Sequence, residues 1–409
     1  MLSIPDARVE DTMNDLLAWQ RAAHNIAAMR ALAKRTLPRP IFDFADGGAE
    51  TEWTMRRNES AFGDVALVPR PLQGAGKRDF SLTLFGSRLS MPLMIGPTGL
   101  AGLFAPGGEE AAARAAAAAG TGYCLSHGSV CSLEALAGLA TKPRWMQVFV
   151  YKDRTFTREM IDRAAAARYD ALVLTVDNQL MGNRERDVRN GFGIPPRFTA
   201  RQLLAMTRHL PWLWRMRRAL PRLTLGNYVR PGSDLDFATL AGRLASLLDP
   251  MLNWDDVREV RQRWRGPLLL KGILHPDEAG QAARLGVDGI IVSNHGGRQL
   301  DGAISSVEAL PAIVAAVRPT HPDVAILIDG GIRRGADVVK ALALGARAVL
   351  IGRPQLWGLA VAGEAGVAHV LEIYRREIDR TMGLVGAATL DDIGPGIVAH
   401  VGERESARG

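Results

Sequence analysis

The chain predicts a parallel (β/α)8 TIM barrel, and three observations carry that expectation. Short apolar runs recur from Pro92 onward and alternate with alanine-rich or amphipathic stretches of helical period. Eight such runs can be drawn, the number a closed barrel of this class requires. Glycine and polar residues gather where the runs end, and the C-terminal strand ends are where such barrels do chemistry.

The expected strands are residues 92–96, 122–126, 145–149, 171–176, 267–271, 289–293, 324–329 and 347–352. Helices are expected between them at 109–119, 157–167, 276–285, 307–317 and 336–344. The one irregular gap is a long insertion after strand four, residues 178–266. Ahead of the barrel (61–409), residues 1–60 read as a helical covering segment. Apolar residues at helical spacing run over 11–34, Pro38 and Pro40 end the pattern, and 41–49 read as a glycine-containing turn. The chain from Trp357 onward supplies a last helix and a tail.

Length and composition narrow the class. A chain of 409 residues with 47% hydrophobic and 23% charged residues is an ordinary folded protein. No uninterrupted apolar run of about eighteen residues occurs, so no membrane-spanning segment is expected. Residues 1–10 lack the charged-then-apolar pattern of a signal peptide. Two cysteines, Cys124 and Cys131, argue against a disulfide framework or a Cys-based zinc site. The expectation is an intracellular, cytoplasmic chain with no metal.

Net charge is +7 and unevenly spread. Between Asp187 and Asp234 there are nine arginines and no acid. At the centre, Trp212 and Trp214 interleave with Arg208, Arg215, Arg217 and Arg218. Such a pattern suits the interface of an anionic membrane, through residues 201–222. A solvated basic insertion that packs its tryptophans on the body is the plainer alternative. No nucleic-acid-binding motif accompanies the patch, and no nucleic-acid partner is expected.

The strand ends carry Pro97-Thr98-Gly99, Ser126, Gln147, Thr175 with Asp177, Lys271, His295 with Arg298, Asp329-Gly330-Gly331, and Gly352-Arg353. Any one could be a cap or a turn; eight together point to one ligand site. A histidine there can act as general base, and an arginine can fork onto a carboxylate. The glycines after strands seven and eight, with Arg333 and Arg353, suit a phosphate. Lys271 leaves an apolar strand and needs an anionic partner or a shifted pKa. A flavin edge that becomes negative on reduction is one partner, and a Schiff-base role is the other reading. Asp177 could orient His295 and stabilise its imidazolium.

The run Ser293-Asn294-His295-Gly296-Gly297-Arg298-Gln299-Leu300-Asp301 resembles the active-site signature of the FMN-dependent α-hydroxy acid oxidases and dehydrogenases. The resemblance extends from about residue 37 to residue 390 and is weakest over the insertion. It implies FMN as cofactor and oxidation of an (S)-2-hydroxy acid, with His295 as base and Asp177 beside it. It implies that Arg298 and Arg184 hold the substrate carboxylate and that Lys271 stabilises the reduced flavin. Pro97, Thr98, Gly99, Ser126, Gln147, Thr175 and Ser293 would line FMN, and 329–333 with Gly352 and Arg353 would hold its phosphate. Quinone or oxygen would accept the electrons, at the inner face of a membrane in the first case, and a homotetramer is the family's assembly.

Two positions depart from that pattern. Phe44 and Phe149 stand where the family usually has tyrosines near the substrate, each change removing a hydroxyl group. His127-Gly128 follows Ser126 where some members carry an aromatic, which suggests a roomier pocket and a bulky or atypical substrate. Two further readings stay open: a flavin- or phosphate-binding isomerase or lyase, and the same redox chemistry on a lactone or ester. A non-catalytic binding barrel is the third class.

Overall fold

The computed structural model describes residues 17–139, 141–191, 207–228 and 247–400. The expectations for residues 1–10, for the start of the 11–34 helix, for 201–206 and for the tail beyond 400 lie outside them.

Eight parallel strands close into a barrel in which each neighbours the next in sequence: β1 (Leu93–Ile95), β2 (Tyr123–Leu125), β3 (Arg144–Val148), β4 (Ala171–Thr175), β5 (Leu268–Ile273), β6 (Gly289–Val292), β7 (Ala325–Asp329) and β8 (Ala348–Ile351). Side chains alternate between interior and exterior along each strand. Met94, Cys124, Trp145, Val173, Leu269, Ile291, Leu327 and Leu350 fill the interior. Their neighbours Leu93, Leu125, Met146, Leu174, Leu270, Ile290, Ile328 and Ile351 join the layer beneath the helices. A hairpin of strands Leu82–Leu84 and Ser87–Leu89 joins the interior cluster, with Phe85 5.8 Å from Trp145.

One step further along the same inward register stand Gly96, Ser126, Gln147, Thr175, Lys271, Ser293, Asp329 and Gly352. The apolar filling therefore ends in a polar layer at the C-terminal mouth. Its parts bond to one another: Ser126 Oγ to Gln147 Oε1 at 3.1 Å, Gln147 Nε2 to Thr175 Oγ1 at 2.9 Å, and Lys271 Nζ to Ser293 Oγ at 2.7 Å.

The insertion expected as one stretch over 178–266 ends in the barrel's own fourth helix, Trp254–Arg263. Asn253 and Asp256 cap its start reciprocally. At the N-terminus, a break after Ala22 separates Ala18–Ala22 from Ile26–Thr36, where Asn25 accepts from Ala28 N. Residues 41–46 are helical rather than a turn. Helix Arg39–Asp46 carries Pro40 in its first turn, where no backbone donor is lost, so the prolines that end one helix begin the next. Helix Trp53–Ser60 follows and lies on the barrel mouth.

The helix after β8, Arg353–Val385, is long and apolar enough by composition to cross a membrane. Leu356, Trp357, Leu371 and Tyr374 are nonetheless buried, and it packs against Gly108–Ala118 and Ile26–Thr36. Non-helical Ala362 and Gly363 kink it midway.

Candidate active site

A cavity of about 620 Å³ opens at the barrel mouth above the polar layer. Pro97, Thr98, Gly99, Ser126, Gln147, Lys271, His295, Arg298, Asp329, Gly330, Gly331, Arg333, Gly352 and Arg353 line it, with Phe44, Phe149 and Arg184. The structure thus brings together residues from seven of the eight strand ends, the insertion that follows the fourth, and the N-terminal cover. Asp177 and Ser293 stand one layer back and line a second cavity of about 320 Å³, while Thr175 is buried beneath Gln147.

His295 follows β6 in the left-handed backbone region, φ 58°. Its N–H donates to Ser293 Oγ at 3.0 Å, which holds this uncommon turn. Its Nδ1 lies 2.9 Å from Asp177 Oδ1, so the proton there assigns Nε2 as the free basic nitrogen. Burial lowers the imidazole pKa, and the nearby Asp177 charge opposes but does not overcome that shift. Burial acts against Asp177 as well, yet the charges of His295 and Lys271 keep its carboxyl below the ordinary range. Gly272 makes this pairing possible. At φ 104°, a Cβ there would stand 2.6 Å from the Asp177 Cγ. Gln299 Nε2 donates to Asp177 O and Leu180 O, tying the loop after β4 to the signature turn.

Lys271 Nζ sits 3.1 Å from Asp329 Oδ2. Burial favours its neutral form, but Asp329 and Asp177 outweigh this and raise its pKa, so it presents an ammonium to the cavity floor. A lysine held charged here is matched to an anionic partner rather than to Schiff-base formation.

Arg298 Nη1 donates to Phe44 O at 2.8 Å and Gly47 O at 2.9 Å, and its guanidinium lies 5.4 Å from the Phe44 ring centroid. Burial and the nearby Arg184 bring its pKa down to about 9. Arg184 Nε is buried with no hydrogen-bond partner among the described residues. Two desolvated guanidinium groups facing one space repel each other, and a carboxylate between them would relieve both. Arg353 reaches the cavity wall too, but donates to Ala45 O, Gly47 O and Gly296 O at 3.1, 2.7 and 2.9 Å. It clamps the covering helix to the signature turn. Arg333 Nη2 pairs with Glu59 Oε1 at 2.8 Å.

The residues fit FMN. The polar layer and Lys271 meet the needs of a flavin's heteroatom edge. The Gly330–Gly331 turn, Gly352 and the helix start at Arg353 offer backbone N–H groups for a phosphate. Gly331, φ 78°, must be glycine because a Cβ would strike Asn58 O at 1.8 Å.

Several wall residues carried no signal in the sequence. Tyr151 and Tyr228 bond hydroxyl to hydroxyl, and with Leu225 and Leu248 they make an apolar wall beside Phe149. His127 does not open the pocket: it is fully buried behind Phe149, its ring stacked at 5.7 Å, with Tyr151 and Tyr228 packed around it. Gln355 donates to Thr98 Oγ1 at 2.5 Å, and its place beside Gly352-Arg353 was the one clue available.

The family model for FMN-dependent dehydrogenase matches residues 33–400. An L-lactate dehydrogenase of Pectobacterium atrosepticum is 43% identical over 376 residues, covering 92% of this chain and 96% of the relative. One from Caulobacter vibrioides is 44% identical over 373 residues, covering 91% and 96%. The crystal structure of the monotopic membrane protein (S)-mandelate dehydrogenase superposes with a TM-score of 0.88 at 38% identity, covering 92% of this chain and 99% of that one. A mandelate oxidase structure gives 0.78 at 37% identity, covering 90% and 96%. These matches favour the dehydrogenase over the isomerase or lyase reading. The chain therefore belongs to the FMN-dependent dehydrogenase family, is an oxidoreductase, and takes FMN as its cofactor.

Proposed function

We propose that the protein oxidises an (S)-2-hydroxy acid with a bulky apolar side chain to the 2-oxo acid. The carrying observation is that His295, held by Asp177, faces the same cavity as Arg184 and Arg298, above the ammonium of Lys271. The two arginines bind the substrate carboxylate, and His295 takes a proton from Cα or from the hydroxyl. The imidazolium so formed is stabilised by Asp177 at 2.9 Å. FMN, when bound, supplies the two-electron acceptor. Lys271 would offer it positive charge, Pro97, Thr98, Gly99, Ser126 and Gln147 would hold its ring, and Asp329, Gly330, Gly331, Arg333, Gly352 and Arg353 would hold its ribityl phosphate. Thr175 and Ser293 act from behind, by orienting Gln147 and Lys271. Phe44 and Phe149 contact the substrate through apolar surface, and the Tyr151–Tyr228 wall supports a large side chain. The names of the relatives, lactate and mandelate dehydrogenases, support the acid class.

The acceptor in this reading is a membrane quinone rather than oxygen. In the described part of 201–222, helix Leu210–Met216 buries Trp212 and leaves Leu210 65% and Trp214 69% exposed. The Arg217 guanidinium lies 3.8 Å from the Trp214 ring centroid. One tryptophan packs on the body and the other, with arginines around it, suits a lipid interface. The relative described as monotopic supports peripheral contact with a membrane; the cytoplasmic face follows from the intracellular expectation, and the homotetramer from family resemblance alone.

The test is an anaerobic visible spectrum of the purified holoprotein titrated with (S)-2-hydroxy acids from lactate to mandelate and longer chains. Bleaching by the larger acids at lower concentration than by lactate is expected. Lactate reducing the flavin as fast as any larger acid would refute the bulky-substrate reading. A yellow protein that no acid bleaches would refute the hydroxy acid itself.

A further inference from the structure

We propose that a second large cavity, of about 500 Å³ beneath the basic helix, seats the phosphate of an anionic phospholipid headgroup. The proposal rests on the membrane contact put forward above and names the site that would hold the lipid. Five cationic side chains line the cavity, Arg30, Lys34, Arg39, Arg186 and Arg189, against two carboxylates, Asp43 and Asp46. Both carboxylates are already engaged. Asp46 receives Arg30 at 2.5 and 2.6 Å and Arg186 at 3.2 Å, and Asp43 receives Asn190 at 2.7 Å and Arg39 at 3.2 Å. Lys34 and Arg189 have no acidic partner among the described residues. The cavity therefore presents surplus positive charge that the protein itself does not neutralise, which suits an anion.

Two further features select a lipid over a free anion. The aliphatic stems of Lys34, Arg39 and Arg189, with buried Leu37 and Phe42 behind them, give the cavity an apolar lining, which a hydrated inorganic ion does not need and a glycerol backbone with its first acyl carbons does. His209 lines the cavity, lies 3.2 Å from Thr36 O through Nδ1, and immediately precedes helix Leu210–Met216 with its exposed Leu210 and Trp214. A headgroup in the cavity is thus one residue from the side chains that would enter the bilayer. The turn Glu185–Arg189 separates the two cavities: Arg186 and Arg189 face this one, while Arg184, Asp187 and Val188 line the active-site cavity. Exposed Met181 and Val188 at that mouth are then brought toward the bilayer, where a quinone resides.

Calorimetric titration of the holoenzyme with monomeric dihexanoylphosphatidylglycerol tests this. Saturable one-site binding is expected, with dihexanoylphosphatidylcholine at least about tenfold weaker. Lys34→Ala/Arg189→Ala should weaken binding by about tenfold or more, Lys34→Gln/Arg189→Gln should do the same, and the surface pair Arg217→Ala/Arg218→Ala should change it by less than about twofold. Circular dichroism checks that each variant is folded. Equal binding of the zwitterionic lipid, or equal loss in the surface pair, would overturn the site. Inorganic phosphate binding as tightly as the short-chain lipid would assign a soluble anion and overturn the lipid. Co-sedimentation with phosphatidylglycerol vesicles separates the two claims. Vesicle binding without a saturable short-chain site overturns the cavity and spares the membrane contact. Saturable binding without vesicle binding supports the seat and removes the contact.

Discussion

His295 and Asp177 are 118 residues apart and meet because β4 and β6 flank β5 and Gly272 leaves room beside the carboxylate. Replacing Asp177 with Asn should lower kcat by roughly 10²–10⁴-fold, as the imidazolium loses its partner. The pH profile separates this from a structural effect. In the native protein burial depresses the His295 pKa, so the acidic limb of kcat/KM should fall below about 6.5, the value of a free histidine. Asp177 raises that pKa, so its removal should move the limb to still lower pH; a limb moving upward would contradict the pairing. Gly272→Ala, forced against Asp177 at φ 104°, should cost about 1–3 kcal/mol of stability and lower kcat more than it raises KM. Residues of this kind were legible as types at strand ends, since a histidine, a lysine and paired arginines have few structural uses there. Tyr228, by contrast, sits in an insertion with no motif, and only folding brings it to the wall.

The covering helices illustrate what a whole element contributes. Asp301, the last residue of the signature, accepts from Thr51 N at 3.0 Å and Thr54 N at 2.8 Å, and the Asn58 and Asn294 amides bond reciprocally at 2.8 Å. Ala49 N donates to Gly297 O at 2.8 Å. These bonds hold helix Trp53–Ser60 over the mouth and so keep Phe44 in the site. Asp301→Ala should loosen the cover, lowering stability by about 1–3 kcal/mol, raising KM and hastening proteolysis near residue 50. Unchanged KM and unchanged proteolysis would show that the cover is held by apolar packing instead. Burial opposes ionisation of Asp301, but these donors bring its pKa down to about 2. Because that folded value is depressed, the contribution is present above about pH 4 and disappears as pH falls through about 2.

For the molecule as a whole, one buried acid should set the alkaline side of stability. Glu109 opens the helix after β1, and burial raises its pKa to about 7; Oε1 accepts from Val130 N at 2.8 Å, and Oε2 has no partner among the described residues. A raised folded pKa means stability present at low pH and lost as pH rises through about 7. Glu109→Gln keeps the acceptor and cannot ionise. It should raise stability at pH 8–9 by an amount on the order of 1–3 kcal/mol, read as a higher Tm, and leave Tm nearly unchanged at pH 5. A Tm gain equal at both pH values would show that folding does not raise the pKa of this glutamate.

The sequence by itself determined the barrel and most of its mouth. Strand and helix periods are local properties, and the inward register that buries Leu269 and Leu327 also delivers Lys271 and Asp329 two residues later. Through the resemblance of residues 293–301 to a known signature it also implied FMN chemistry. Tertiary structure decided what depended on distant chain segments. Residues 41–46 became helical because Pro38 and Pro40 stand at the helix start, where no backbone donor is lost, and because Ile41, Phe42 and Ala45 are buried. His127 went behind Phe149, Tyr151 and Tyr228 formed the wall, and Arg353 turned to backbone carbonyls. Each of these outcomes depends on which groups remain to be buried or hydrogen-bonded once the strands have closed, a balance no local stretch contains.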